Sequence, residues 1–169
     1  MIQITKTTIW YPRYVANTIL DIDKATLARQ GITHIAFDLD KTLLARGARR
    51  ISPSYVRHIQ SLRQAGFTIL IGSNARREIR PVVQALDVAV VLPKGLSMKP
   101  FGSFYKRLIA AAGTTPDHIV MVGDHIINDA IGGNRAGCTT ILVRGLRQKT
   151  SLAYRLYMRI ILGRVTSVT

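Results

Sequence analysis

The chain has 169 residues, 47% of them apolar, with 24 lysines and arginines against nine acidic residues and a net charge of +15. That size and apolarity suit one ordinary domain with a buried core, and they exclude a disordered chain. No apolar run reaches the roughly 20 residues needed to cross a bilayer, and a single cysteine, Cys138, excludes an internal disulfide or a multi-cysteine metal site.

Residues 1–20 lack the charged-then-apolar layout of a signal peptide, with Trp10, Pro12 and Arg13 interrupting them, so a location in the cytoplasm or on the inner side of a membrane is expected. After this irregular start, apolar runs at 34–39, 67–72, 88–92, 118–122 and 139–143 alternate with helical stretches. Short, rich in Ile and Val and apolar on both faces, the runs read as buried parallel strands. Ser52-Pro53 supplies a cap and a first-turn proline for a helix that Gly66 closes. Asn74 is expected to cap a second helix through about 86, with Pro81 bending it or shifting its start. A third runs from about 100 to Gly113, and a fourth lies around 126–136. Such alternation predicts a three-layer, doubly wound, Rossmann-like parallel sheet, whose ligands gather beyond the carboxyl ends of the strands. Cys138, between Gly137 and Thr139 at a strand entry, reads as a buried, inert thiol.

Chemistry concentrates at those strand ends. The first run leads into Asp38-Leu39-Asp40-Lys41-Thr42, where two carboxylates two residues apart repel unless a divalent cation joins them. One carboxylate can then attack phosphorus while the other handles protons. The second run ends Gly72-Ser73-Asn74, which suits a helix cap and a phosphate cradle alike. Lys99-Pro100 opens the third helix and offers an ammonium to a phosphoryl group and to Asp38. The fourth run yields Gly123-Asp124 and then Asp129, oxygen donors of the kind Mg²⁺ prefers, with His125 and Asn128 between them as loop residues. Four of only nine acidic residues therefore fall at two strand ends of a basic protein.

These motifs, in this order over about ninety residues, resemble the four motifs of the haloacid dehalogenase-like (HAD) superfamily. The resemblance implies that Asp38 is the nucleophile of an aspartyl-phosphate and Asp40 the acid and base. It further implies that Ser73, Asn74 and Lys99 hold the phosphoryl group. Mg²⁺ would be bound by Asp38, the Asp40 carbonyl and Asp124, with Asp129 and Thr42 in support. Gly132-Gly133-Asn134-Arg135-Ala136-Gly137, the run Thr140-Ile141-Leu142-Val143, the Tyr11-Pro12 opening and the basic tail resemble the YqeG-type branch, subfamily IIIA. That branch is related to phosphatidylglycerophosphate phosphatases, and it more often carries Asn where this chain has Lys41.

Only 32 residues separate Asp40 from Ser73 and 25 separate Ser73 from Lys99, which leaves no room for the cap domain many HAD enzymes carry. An open site suits a phosphate on something larger, such as a lipid headgroup. Residues 150–163 are expected to form a basic amphipathic helix, with Leu152, Leu156, Tyr157, Ile160 and Ile161 on one stripe. Packed on the domain it is a plain terminal helix; laid on an anionic membrane it is a peripheral anchor. Arg76, Arg77 and Arg80 read as a solvated helix face or as partners for a second phosphate. The expected function is a Mg²⁺-dependent phosphomonoesterase acting on phosphatidylglycerophosphate. A soluble phosphorylated metabolite or nucleotide is the second substrate class. Nucleic-acid binding is the third reading, disfavoured by the acid set and the lack of interleaved aromatic and basic residues.

Overall fold

The computed structural model describes residues 1–3, 8–144, 146, 152, 155, 156, 159 and 160. Its strands are β1 (Ile2–Gln3), β2 (Tyr14–Ala16), β3 (His34–Phe37), β4 (Thr68–Gly72), β5 (Ala89–Val91), β6 (Ile119–Gly123) and β7 (Thr139–Val143). Its helices are α1 (Lys24–Arg29), α2 (Pro53–Gln64), α3 (Arg80–Val83), α4 (Gly102–Ala112) and α5 (Gly132–Arg135), the last preceded by a π-helical turn at Ile126–Ile131.

The strands make one sheet in the order β1-β2-β7-β6-β3-β4-β5, with β1 antiparallel to β2 and every other pairing parallel. Alternation along the central strands feeds two cores. Ile35, Phe37, Ile69, Ile71, Val120 and Val122 face the core shared with α2 and the segment around α1. Ala36, Leu70, Ile119 and Met121 face the other, against Phe104, Tyr105 and Leu108 of α4. The three-layer expectation is met, and no helix among the described residues is long and apolar enough to cross a membrane.

Strand order reverses at β3. The chain runs outward from β3 to β4 and β5, then returns to lay β6 on the other side of β3. Register does the rest: Phe37 pairs with Ile71 on β4 and with Val122 on β6. The residues following β3, β4 and β6 therefore emerge side by side at one edge, the place where doubly wound sheets bind ligands.

Three expectations need correction. The irregular start contains β2, which pairs with β7, and the short helix α1 capped by Asp23. Neither is long enough to declare a period. The helix expected from Asn74 to about 86 is an extended loop followed by α3 and a 3₁₀ turn at Gln84–Leu86. Pro81, which has no N–H to donate, sits in the first turn of α3 and so delays the start. Asn74 is not its cap. The expected 126–136 helix opens as a π turn, closed by the Asp129 carboxylate on the His125 N–H at 3.0 Å. Most of the expected 150–163 helix lies outside the described residues; Leu152, Arg155, Leu156, Arg159 and Ile160 are helical and exposed.

Lys41 adopts φ 68°, the left-handed region that favours Gly and Asn. Its N–H donates to the Leu44 carbonyl at 2.8 Å, and its own carbonyl accepts from Leu146 at 2.7 Å, so the turn is fixed from both sides. Lys41→Asn should relieve this and raise the unfolding free energy by about 0.5–1 kcal/mol. Urea denaturation checks it, and a loss of stability would contradict strain at this turn.

Candidate active site

The loop after β3 carries Asp38 and Asp40. The Asp38 N–H extends the β3–β6 ladder onto the Val122 carbonyl at 2.8 Å, which pins the start of that loop to the strand carrying Asp124. Asp38, Asp40, Lys41, Ser73, Asn74, Lys99, Asp124, His125, Asn128 and Asp129 line a single small pocket of about 140 Å³. Every predicted site residue except Thr42 is in that lining. Thr42 is buried, and its hydroxyl has no protein hydrogen-bond partner among the described residues.

Lys99 is the centre of the arrangement. Its ammonium, 1% exposed, donates to Asp38 Oδ1 at 2.7 Å and to Asp129 Oδ1 at 2.6 Å. The bond to Asp129 was not foreseen from the sequence. Desolvation alone would lower the Lys99 pKa, but Asp129 and Asp38 outweigh it and hold the amine cationic, above its ordinary range. Burial drives the Asp38 carboxyl upward against the pull of Lys99. Burial likewise pushes Asp129 up to about 7, with Lys99 opposing and Asp38 adding repulsion.

Three residues hold the frame. Asn74 brackets the Lys99 peptide: its Nδ2 donates to the Lys99 carbonyl at 2.9 Å, and its Oδ1 accepts from the Lys99 N–H at 2.8 Å. Its side chain therefore ties the β4 loop to the Lys99 loop rather than capping a helix. Tyr105, fully buried in α4, donates to the Asn128 carbonyl at 2.6 Å and so fixes the turn that presents Asp129. In the sequence it reads only as part of an apolar stripe. Gly123 completes the frame, since a Cβ there would overlap the Asp129 carboxylate. Ser73 is buried, its Oγ accepting from the Ala75 N–H at 3.1 Å, so the local turn and a pocket-facing position coexist.

Asp40 behaves differently from Asp38. Its side chain is 43% exposed and is gripped by Arg77, Nη1 to Oδ2 at 3.0 Å and Nη2 to Oδ1 at 2.5 Å. Sequence reasoning placed Arg77 on a solvated face or against substrate and did not connect it to Asp40; no local pattern links positions 37 residues apart.

Asp38, Asp124 and Asp129 are buried, and each offers a carboxylate oxygen within 4.8 Å of the others, where like charges repel. Carboxylate oxygens at this spacing fit a hard divalent cation, which would relieve that repulsion. Both oxygens of Asp129 already serve the protein, one to Lys99 and one to the His125 N–H, which leaves Asp38 and Asp124 as the better donors.

Residues 97–156, which include Lys99, Asp124 and Asp129, match the HAD-hydrolase-like family model. Over 133 residues the chain is 24% identical to the "probable phosphatase YqeG" of Bacillus subtilis, covering 78% of this chain and 76% of that one. These likenesses, over part of the chain for the family model and most of it for the Bacillus protein, are to the HAD superfamily and to its YqeG type. A shorter likeness, 31% over 67 residues, takes in 40% of this chain and 25% of the human phospholysine phosphohistidine inorganic pyrophosphate phosphatase. An uncharacterized Listeria monocytogenes protein shares the fold with a TM-score of 0.57 at 20% identity, over 72% of this chain and 85% of that one. The cobalt-bound deoxy-D-mannose-octulosonate 8-phosphate phosphatase of Haemophilus influenzae does so with a TM-score of 0.55 at 16% identity, over 82% and 77%.

A pocket that clusters three buried carboxylates should be stabilised by a divalent cation. Mg²⁺ at one hundred times its dissociation constant should add about 2.7 kcal/mol to the unfolding free energy. Thermal melting with Mg²⁺ or a chelator measures this, and Asp124→Asn should remove most of the difference. A melting curve indifferent to metal would contradict the charge argument.

Proposed function

We propose that this chain, acting as one catalytic unit over residues 1–169, is a Mg²⁺-dependent phosphomonoesterase that works through an aspartyl-phosphate on Asp38. The observation that carries the reading is Lys99 joining Asp38 and Asp129 beside Asp124 in one buried pocket. A lysine neutralising a nucleophile and a phosphoryl oxygen together is what phosphoryl transfer demands, since most of its catalysis is positioning and charge stabilisation. The Bacillus relative's description as a probable phosphatase supports the same reaction class.

In this reading an Asp38 oxygen attacks phosphorus, and the bond from phosphorus to the ester oxygen breaks. Asp40 gives a proton to that leaving oxygen. It then takes one from the water that attacks the aspartyl-phosphate, releasing inorganic phosphate and restoring Asp38. Ser73 and the Asn74 main chain cradle phosphoryl oxygens at the end of β4, and Lys99 offsets their charge. Mg²⁺, held by Asp38, the Asp40 carbonyl and Asp124, would supply a further positive charge to the phosphoryl oxygens. Asp129 positions Lys99, and Thr42 supports the nucleophile loop.

For the substrate we propose phosphatidylglycerophosphate. The segments between Asp40 and Lys99 are spent on β4, α3, β5 and α2, which leaves no lid over the pocket among the described residues. The net charge of +15 favours an anionic surface. Leu152, Leu156 and Ile160 stand exposed at helical spacing beside Arg155 and Arg159, a composition suited to a headgroup layer. This supports peripheral contact with an anionic membrane.

The test is release of inorganic phosphate from phosphatidylglycerophosphate and from p-nitrophenyl phosphate, with and without Mg²⁺. Asp38→Asn should cut turnover by roughly 10⁴-fold or more, and Asp40→Asn by about 10²–10⁴-fold. Undiminished turnover in Asp38→Asn would remove the nucleophile assignment. Hydrolysis of soluble esters alone would replace the lipid with a soluble phosphorylated metabolite.

A further inference from the structure

Beside the catalytic pocket lies a second cavity of about 300 Å³, lined by Ala75, Arg76, Arg77, Leu92, Pro93 and Gly95. Its lining holds two guanidinium groups and no carboxylate. Arg77 belongs to this cavity and also spans to Asp40 with one N–H on each carboxylate oxygen. We propose that this cavity is a subsite for a second anionic group on the phosphomonoester, and that Arg77 is the positioning residue coupling its occupancy to Asp40. The proposal rests on the phosphomonoesterase reading and deepens it by giving the substrate's second anion a place in the site: the substrate class is a molecule carrying the scissile phosphate and a second phosphate or carboxylate.

The argument is one of competition. Asp40 must reach the leaving oxygen, yet both of its oxygens are engaged by Arg77. The pair is about half exposed, so water and salt screen it, and it is a weak bond by the standards of the buried Lys99 contacts. A guanidinium binds phosphate or carboxylate with the same forked geometry it shows on Asp40. A phosphate entering the neighbouring cavity, with Arg76 adding a second positive charge, therefore offers Arg77 a better partner. Arg77 turns toward it, and Asp40 is released to the leaving oxygen. A substrate without the second anion leaves Arg77 on Asp40.

The matched probes are propane-1,3-diol bisphosphate and propyl phosphate, which differ only in the second phosphate. Binding is measured by calorimetry on Asp38→Asn protein with Mg²⁺, and turnover on the protein with Asp38 intact. The bisphosphate should bind roughly ten- to hundredfold tighter, the range of one charge-assisted contact. It should also show the higher kcat. Arg77→Ala should erase the binding preference, raising KM for the bisphosphate, while freeing Asp40 and so raising kcat for propyl phosphate. Arg77→Lys, which keeps the charge but not the fork, should restore part of the preference. Equal losses on both probes in Arg77→Ala, with no change in their ratio, would reduce Arg77 to a structural pair and overturn the subsite. So would equal binding of the two probes by protein with Arg77 intact. An inert enzyme that still prefers the bisphosphate through Arg77 would sink the hydrolytic reading and leave the subsite standing. Phosphatidylglycerophosphate against phosphatidic acid supplies the lipid arm. A preference in this pair that exceeds the soluble one and needs Arg77 assigns the second anion to a lipid headgroup; equal ratios in both pairs assign it to phosphate from either source.

Discussion

The structure depends on one buried ammonium that joins two carboxylates. Lys99 sits between Asp38 and Asp129 with Asp124 close by, inside a protein that elsewhere carries a large positive excess. Burying one lysine is costly, and burying it with a single partner roughly breaks even at best. Here it holds two carboxylates at once, and removing it would leave them buried and facing each other. The arrangement is poor for stability taken alone. It makes sense where a cation and a phosphoryl group complete the charge balance, so the strain in the resting protein has the sign of the chemistry.

That cluster is assembled by backbone geometry before any side chain acts. Parallel pairing of β3 with both β4 and β6, in a register that sets Phe37 against Ile71 and Val122, delivers the three motif loops to one edge. The remaining piece, Lys99, arrives on a loop that belongs to none of those strands. Its position is therefore fixed by side chains: Asn74 brackets its peptide, while Tyr105 and Gly123 settle the turn that brings Asp129 to meet it. The fold brings three carboxylates together, and a small set of polar contacts aims the lysine at them.

Which features could be read from the sequence follows from how each is encoded. β3, β4, β6 and β7 announce themselves by apolar runs rich in Ile and Val, β5 by the longer apolar run 88–92 around it, and α2 by Ser52-Pro53, because those signals are local. β2 is three residues long and is paired only because β7 leaves an edge beside it, so nothing within residues 14–16 declares it. Asn74 has the composition of a cap, and the sequence reading gave it one. The structure instead spends both ends of its amide on Lys99, a partner 25 residues away. Arg77 and Tyr105 escaped for the same reason. Their partners lie on other elements, and neither an arginine beside another arginine nor a tyrosine in an apolar stripe says which distant group it will meet.

Charge is distributed in two shells of opposite sign, and the order in which a substrate meets them matters. A phosphorylated molecule approaching the strand edge first encounters an overwhelmingly basic exterior, which raises its local concentration and its rate of arrival. At the mouth it meets Arg77, paired with the half-exposed Asp40. Only then does it reach the acidic floor, which would repel it if Lys99 stood alone against Asp38, Asp124 and Asp129. Attraction outside and repulsion inside is a sound design only if the floor is neutralised before the phosphate arrives. It follows that the cation should bind first, or together with the substrate, and that the metal-free pocket should be poor at holding phosphate however basic the surface around it.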